Sequence, residues 1–389
     1  MPIIRKLHSA RHRLEHALAQ WRESKLTASK RRAFESWVDH LSKYPPQVLI
    51  GSNFAEYGGV RNHIHAIQRY SSLRSELAPS DSLLEMLSPH EITNTYRDVF
   101  AGFRPPAGMK VVHSHVFPWF IEWCRGVKGS GPLWVHTYHL PYFPEHADGE
   151  LEPWQKQFND VLLNDARHAD VRLSVSRWQQ EYLRSTHSIE TQYVPNGVDV
   201  RICDLADGNR FRHRTRGEPF VLYVGRNDPV KNPRDFLRLA QRLSQVRFVM
   251  LGRGLSRDVL EAQGLPVPEN LTVFGETSHH QTMDAIAASS ALIVTSKREG
   301  LPTLVLEGMA LGKAVVVPDE AGCVEAIGDG GLGFVYQPSD IDDLAAKTAA
   351  AFGDMSRAAE RREHVLKEFD WRAIAPQLDA IYSGGPGAR

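Results

Sequence analysis

Short runs of apolar residues alternate with longer stretches of mixed polarity throughout the chain. Runs of this length, bounded by turn residues, are typical of strands buried on both faces, and the stretches between them have the apolar spacing of helices. In the first half the apolar runs cover residues 47–50, 110–115, 133–137 and 171–176. A helix is expected over residues 60–70. The alternation predicts a parallel sheet with helices on both faces.

The same pattern restarts after Pro195-Asn196-Gly197, a turn signal that we interpret as the entry to an interdomain linker. The second set of apolar runs covers residues 220–224, 247–251, 271–274, 291–295, 314–317 and 333–336. Their separations suit βαβ crossovers. A chain of 389 residues with 42% hydrophobic residues is long enough for two such domains. We therefore predict an α/β protein with two Rossmann-like, doubly wound domains.

Two glutamates, Glu299 and Glu307, bracket the start of a predicted helix. Glu299 follows the apolar run 291–295, and Glu307 lies one turn into an amphipathic segment. Thr303 is the expected N-cap of that helix, and Pro302 pre-sets the chain entering it. Free N–H groups at a helix start attract anions. Carboxylates on either side of an anion site suit a nucleoside diphosphate sugar, in which pyrophosphate lies between ribose and hexose.

Two cations, Arg226 and Lys231, follow the apolar run 220–224 and precede a predicted helix. Breaking a bond between a pyrophosphate and a sugar places negative charge on the leaving group, which preorganised cations stabilise. The planar guanidinium and the compact ammonium can grip different phosphate oxygens. The alternative is that both are ordinary surface cations, and only the glutamate pair downstream favours the phosphate interpretation.

Glycine and histidine add further candidates. Gly58 and Gly59 follow the first apolar run, where glycine permits close approach of the backbone to a ligand, although a simple tight turn is the alternative. Three of the histidine pairs in the sequence are candidate sites, at positions 63/65, 113/115 and 136/139. None of these pairs has a nearby cysteine or the helical spacing of a zinc site. We therefore expect no metal site.

The ordered motifs resemble those of the family-4 retaining glycosyltransferases, which have the GT-B fold. The matches are Gly58-Gly59, residues 136–139 and 195–199, Gly225-Arg226, Lys231-Asn232, Glu299 with Glu307, and Trp371. The resemblance implies two domains facing a cleft, with the acceptor on the first (46–200) and the donor on the second (201–366), and a final helix (367–389) that crosses back. It implies retaining transfer of a sugar from a UDP- or GDP-linked donor to an unidentified hydroxyl of a glycan, lipid-linked or small-molecule acceptor, without a cofactor.

The resemblance also implies roles for individual residues. Arg226 and Lys231 would bind the diphosphate, Glu299 would contact the donor sugar, and Glu307 would hold the ribose. His139 would lie beneath the sugar and stabilise positive charge at the anomeric carbon through its backbone carbonyl. The predicted catalytic residues are therefore His139, Arg226, Lys231 and Glu299. The other members of the predicted site are the donor-binding Gly58, Gly59, Gly300, Leu301, Thr303 and Glu307 and, more weakly, His115 for the acceptor.

Two other motifs resemble a metal site and a dinucleotide-binding loop, but the sequence around them does not favour either function. Asp340-Ile341-Asp342 resembles an Asp-x-Asp metal motif, but its position before an apolar stretch is typical of the acidic first turn of a helix. Gly252-Arg253-Gly254 lacks the third glycine of a dinucleotide-binding loop. The alternatives that stay open are a nucleotide-sugar epimerase or hydrolase of the same fold, or a non-catalytic nucleotide-sugar-binding protein.

Charge excludes a bulk polyanion such as nucleic acid as the expected partner, since 46 basic and 46 acidic residues balance. Residues 1–40 nevertheless hold nine Lys/Arg against four acids, a net charge of +5, so we predict a basic helical extension over residues 1–45. It could pack as a solvated extension or contact an anionic membrane surface. Three scattered cysteines, no signal peptide and no membrane-length apolar run favour a cytoplasmic protein, soluble or peripheral at the inner membrane face.

Overall fold

The computed structural model describes residues 28–53, 58–144 and 150–384. The first six strands are β1 (Val48–Gly51), β2 (Ser75–Ala78), β3 (Val111–Ser114), β4 (Leu133–Tyr138), β5 (Val171–Ser174) and β6 (Gln192–Tyr193). The next six are β7 (Phe220–Val224), β8 (Arg247–Leu251), β9 (Leu271–Gly275), β10 (Ala291–Ile293), β11 (Val315–Pro318) and β12 (Phe334–Tyr336). They form two six-stranded sheets, ordered β2-β1-β3-β4-β5-β6 and β12-β11-β10-β7-β8-β9.

The helices connect these strands and cover both sheets. In the first half they are α1 (Ala28–Lys43), α2 (Gly59–Tyr70), α3 (Asp81–Met86), α4 (Pro89–Asp98), α5 (Pro118–Val127), α6 (Pro153–Asp160) and α7 (Arg177–His187). In the second half they are α8 (Val200–Asp204), α9 (Gly208–Arg212), α10 (Pro233–Arg242), α11 (Arg257–Ala262), α12 (His279–Ala288), α13 (Thr303–Ala310), α14 (Ala321–Ala326), α15 (Ile341–Ala351), α16 (Ala358–Glu368) and α17 (Trp371–Tyr382).

The predicted fold class is confirmed, because every named strand pairing in both sheets is parallel. All ten predicted apolar runs contain a strand. Strands β2 and β6 escaped prediction, and both lie at an edge of the first sheet. An edge strand is paired on one side and needs no continuous apolar run. The Asp340 motif begins α15, with its carboxylate accepting hydrogen bonds from the backbone N–H of Asp342 and Asp343.

Each sheet lies between two apolar clusters, as expected for strands without a solvent-facing side. The last helix, α17, belongs to the first domain's core, where Trp371 and Ile374 join the cluster that contains Val48 and Ile50 of β1. A bridge between Val198 and Asp370 leads the chain to that position. The segments that enter and leave the second domain are therefore paired beside the first domain.

Residues 28–43 of the predicted basic extension form α1, which packs on the first domain. Phe34 and Leu41 are fully buried, and the Trp37 Nε1 atom donates to Glu76 of β2 at 2.6 Å. The prediction for residues 1–27 lies outside the described residues. Within the part of the chain that is described, no helix has both the length and the apolar character to cross a membrane.

Candidate active site

The two loops that carry the predicted donor residues are tied together by backbone and side-chain hydrogen bonds. The loop after β7 carries Arg226 and Lys231, and the loop after β10 carries Glu299. The Thr295 hydroxyl donates to the carbonyl of Lys231 at 3.1 Å, and the Tyr223 hydroxyl donates to the same carbonyl at 3.2 Å. These contacts fix the backbone at the carboxyl ends of the strands, where ligands bind in open α/β sheets.

The Lys231 Nζ atom lies 2.5 Å from the Glu299 Oε1 atom. The lysine side chain is 30% exposed and the carboxylate 13%, so the ion pair is partly removed from water. Two of the predicted catalytic residues are therefore in direct contact. The pair holds an ammonium group at the cleft, where a phosphate oxygen could become a further partner.

Helix α13 begins beside this ion pair, but its predicted cap is wrong. Pro302 occupies the N-cap position and Thr303 is the first helical residue, so the threonine hydroxyl provides no cap. Within the described part of the chain, the backbone N–H groups of Gly300, Leu301, Thr303 and Leu304 donate to no protein acceptor. This uncapped start leaves N–H donors available for an anion, and anion binding there stays a prediction.

Glu307 lies on α13 and is 8% exposed. The His279 Nε2 atom, at the start of α12, lies 2.7 Å from the Glu307 Oε1 atom. The hydrogen bond that His279 donates to Glu307 is the main cause of a raised pKa for His279, and burial of the ring opposes it. The sequence did not single out His279, because its partner Glu307 lies 28 residues further along the chain, on another helix.

Arg226 is more loosely held than Lys231. Its side chain is 62% exposed, and the Nη2 atom lies 3.2 Å from Asp228 Oδ2. Within the described residues it makes no direct contact with Lys231 or Glu299. The four charged residues that the sequence grouped are therefore not one cluster: Lys231 and Glu299 pair, Glu307 pairs with His279, and Arg226 stays near its own loop.

Glycine is required where the backbone of the donor domain is crowded. Gly252 has φ of +149°, and a Cβ there would lie 1.7 Å from the carbonyl oxygen of Gly225. The glycine loop of the first domain approaches the donor domain across the cleft. Gly58 has φ of +122° and precedes α2, and a Cβ on Gly59 would lie 3.9 Å from the Thr303 hydroxyl. Gly59 therefore lies near the start of α13, and Gly58 is its neighbour in the chain.

Three histidines from separate parts of the sequence converge in the first domain. Ligand-capable nitrogens of His63, His115 and His139 all lie within 4.8 Å of one another, a spacing that a metal ion could bridge. The His115 Nδ1 atom lies 3.3 Å from the His139 Nε2 atom. Burial lowers the pKa of His63 to about 4 and holds the pKa values of His115 and His139 well below their ordinary range. These rings are therefore neutral near pH 7, and the expectation of no metal stays a prediction.

His139 is distinct from its neighbour in the same motif. His136 lies within β4, and its Nδ1 atom is 2.8 Å from the Ser114 hydroxyl. Burial lowers its pKa to about 3. His139 lies just beyond the strand, and the next residue, Leu140, would be 3.5 Å from a Cβ on Gly300. The loop with His139 therefore approaches the donor loop, and His136 is a core residue.

Asn196 connects the two sides of the cleft, a role that the sequence did not reveal. Its Nδ2 group donates to the carbonyl of Leu301 at 3.1 Å, and its Oδ1 atom lies 3.0 Å from His63 Nδ1. Because the amide oxygen can only accept, His63 Nδ1–H is the donor. The Trp178 indole donates to the carbonyl of Gly300 at 2.7 Å. First-domain side chains thus hold the donor loop by two of its carbonyls, and the Pro195-Asn196-Gly197 turn was the available signal.

Comparison with known proteins agrees with this architecture. The family model described as "Glycosyltransferase Family 4" matches residues 102–202, and the one described as "Glycosyl transferases group 1" matches residues 207–366. The D-inositol 3-phosphate glycosyltransferase of Mycolicibacterium smegmatis is 27% identical over 301 residues, 72% of this chain and 68% of the relative. The phosphatidyl-myo-inositol mannosyltransferase of the same species is 27% identical over 272 residues, 67% of each protein.

Solved structures share the fold at low sequence identity. The sucrose-phosphate synthase from Thermosynechococcus elongatus has a TM-score of 0.69 and 18% identity, with 87% of this chain and 98% of that chain covered. Anabaena HepE, solved in complex with UDP and glucose, has a TM-score of 0.69 and 17% identity, covering 87% and 99%. The two consecutive family models together match most of residues 102–366, so the chain belongs to the family-4 (group 1) glycosyltransferases, and the solved neighbours share its GT-B fold.

Proposed function

We propose that this glycosyltransferase uses a UDP- or GDP-linked sugar, retains the configuration of the anomeric carbon and needs no metal ion. The observation that carries the proposal is the Lys231–Glu299 ion pair beside the unoccupied N–H groups at the start of α13. An ammonium group and a helix start together suit a diphosphate. Anabaena HepE was solved with UDP-glucose, which favours uridine as the first nucleotide to test.

In the proposed arrangement, the diphosphate lies at the start of α13 with Lys231 and, after its side chain turns inward, Arg226. These cations stabilise charge on the departing phosphate, the task for which other enzymes use a divalent ion. Glu307 accepts from the ribose, and Glu299 contacts the sugar. Gly59 approaches the same helix start from the first domain, with Gly58 preceding it in the loop.

Retention is proposed without a carboxylate nucleophile. Retaining glycosidases use two carboxyl groups across the reacting bond, whereas Glu299 is held by Lys231 on the donor side. The departing phosphate is the proposed base for the acceptor hydroxyl, which then attacks from the same face. The backbone carbonyl of His139 would stabilise positive charge at the anomeric carbon. The neutral state of its buried ring suits hydrogen bonding to the sugar.

The acceptor would approach along the first domain. His115 is fully buried behind His139, so direct contact with the acceptor gains no support from its position. Tyr142 and Trp154 are exposed, and their ring centroids lie 5.1 Å apart. Asn159 fixes Tyr142 by hydrogen bonds to both its N–H and its carbonyl. We propose this aromatic pair as the acceptor contact, because rigid aromatic rings are common in ligand sites.

The test begins with thermal shift against UDP-glucose, UDP-galactose, UDP-N-acetylglucosamine and GDP-mannose, because a bound donor stabilises the native state. NMR of the stabilising donor, with and without candidate acceptors, then separates transfer from epimerisation and hydrolysis and reports the anomeric configuration of the product. Activity should persist in EDTA. Lys231→Ala and Glu307→Ala should each lower kcat/KM about 10²–10³-fold.

The matched control is Lys297→Ala, which removes an exposed lysine from the same loop as Glu299. It should leave kcat/KM within about threefold of the wild type. Wild-type activity in both Lys231→Ala and Glu307→Ala would refute the donor assignment. An inverted product would refute retention, and loss of activity in EDTA restored by a divalent ion would refute metal independence.

Contact of the basic N-terminal extension with an anionic membrane surface is also a proposal. Its support is the charge of +5 over residues 1–40. Co-sedimentation of the full chain with vesicles of phosphatidylglycerol, compared with phosphatidylcholine alone, tests it. Equal partition into both would refute it.

A further inference from the structure

The proposed ribose ligand, Glu307, has a partner that belongs to another helix. His279 is the first residue of α12, and Ser278 with Gln281 forms a capping box that fixes the backbone there. The imidazole Nε2–H donates to Glu307 Oε1 across 2.7 Å. Glu307 lies in the second turn of α13, so the contact joins two helices that both follow strands of the second sheet. Both side chains therefore lie at the ligand-binding edge of that sheet.

This contact restrains a carboxylate that the fold keeps largely out of water. The Glu307 side chain is 11% exposed, whereas the His279 side chain is 41% exposed and lies nearer the solvent. A carboxylate in such surroundings needs hydrogen-bond donors, and charged donors make the stronger bonds. Within the described part of the chain, Glu307 Oε2 takes part in no hydrogen bond. One oxygen is therefore held, and the other is available.

We propose that His279 is a positioning residue for the donor ribose, holding Glu307 by Oε1 so that Oε2 accepts the 2′-hydroxyl of the ribose. The proposal rests on the proposed role of Glu307 as the ribose ligand. A free glutamate would lose rotamer freedom when the nucleotide binds, and a glutamate already held by His279 has lost it beforehand. His279 touches the glutamate and not the reacting atoms, so its effect should fall on recognition of the ribose.

The ratio of affinities for a ribonucleotide and its 2′-deoxy analogue isolates this effect. The full chain is titrated by calorimetry with UDP and 2′-deoxy-UDP, and with GDP and 2′-deoxy-GDP. Loss of one hydroxyl bonded to a carboxylate should weaken binding to the wild type about tenfold. In His279→Ala and in His279→Phe, which retains a ring without the N–H donor, the ratio should fall to about twofold. His279→Gln retains an N–H donor and should restore most of the ratio.

His280→Ala is the matched control, because it removes the same side chain from the neighbouring exposed position. It should leave the ratio unchanged. If His279→Ala and His279→Phe weaken the ribo and deoxy nucleotides equally, His279 is only structural and the proposal is overturned. The Phe variant decides alone if the Ala variant does not fold.

Glu307→Gln separates failure of this inference from failure of the proposed function. If it abolishes the ratio while both His279 variants retain it, only the role of His279 is overturned. If Glu307→Gln also retains the ratio, Glu307 is not the ribose ligand and both proposals are overturned. The same conclusion follows if neither nucleotide pair binds the wild type.

Discussion

Replacement of Glu320 by glutamine tests how much a buried carboxylate behind the donor loop lowers the unfolding free energy as pH rises. Glu320 caps α14, and its Oε2 atom accepts from the N–H groups of Gly322 at 3.1 Å and Cys323 at 3.3 Å. Its Oε1 atom has no hydrogen-bond partner within the described residues, and the Arg298 Nε atom lies 3.8 Å away. A Cβ on Gly322 would be 2.4 Å from the carbonyl oxygen of Glu299, so this cap supports the donor loop.

The magnitude follows from the pKa of Glu320. Burial raises it from the ordinary 4.5 to about 7, opposed by the positive charge of Arg298. The native state prefers the protonated acid. The contribution of Glu320 to the unfolding free energy is therefore fully present below pH 4.5 and is lost as pH rises through about 7. Each pH unit between the two pKa values corresponds to about 1.4 kcal/mol, so the loss is roughly 3 kcal/mol. Glutamine stays neutral and keeps an oxygen acceptor, so it avoids this loss.

The assay is urea unfolding of wild type and Glu320→Gln at pH 5, 6, 7 and 8, followed by tryptophan fluorescence. The stability advantage of the variant should be small at pH 5 and approach roughly 3 kcal/mol at pH 8. Asp340→Asn makes the same change at the exposed cap of α15 and is the matched control for the loss of a capping carboxylate. A constant difference for Glu320→Gln between pH 5 and 8, or a decreasing one, would refute the reasoning.

Asn196→Ala removes the hydrogen bonds to His63 and to the carbonyl of Leu301. We expect a loss of about 1–3 kcal/mol in unfolding free energy and about a tenfold lower kcat/KM, measured against the exposed Asn209→Ala; unchanged values would contradict an interdomain role. Trp154→Ala removes a side chain that is exposed and contacts Tyr142. It should raise the acceptor KM about tenfold with the donor KM and the melting temperature unchanged, and a shift confined to the donor KM would move the acceptor site elsewhere.

The order and type of the central elements could be predicted from the sequence because parallel strands are buried on both faces. The runs 220–224 and 247–251 match β7 and β8 residue for residue. The candidate donor residues could also be named from the sequence, since side chains that follow such strands gather at one edge of the sheet. Lys231 and Glu299 came from different loops and meet at 2.5 Å.

Other features depend on contacts between segments that are distant in the chain, and local sequence patterns do not predict such contacts. The N-cap of α13 was assigned to Thr303 from propensity, but Pro302 takes that position. Asn196 was interpreted as a turn residue, yet it joins His63 to Leu301 across the cleft. His279 could not be singled out from the sequence, because only the packing of α12 beside α13 supplies its partner.

The sequence by itself determined two doubly wound sheets and the set of charged and glycine residues at their carboxyl edges, because alternation of apolar runs encodes burial and chain order. Only the tertiary structure decided which of those residues meet. It paired Lys231 with Glu299, left Arg226 with Asp228, and gathered His63, His115 and His139 into one buried cluster. The physical reason is that the pairing of side chains depends on how the loops and helices of the two domains pack. Contacts between distant segments leave no periodic pattern in the sequence.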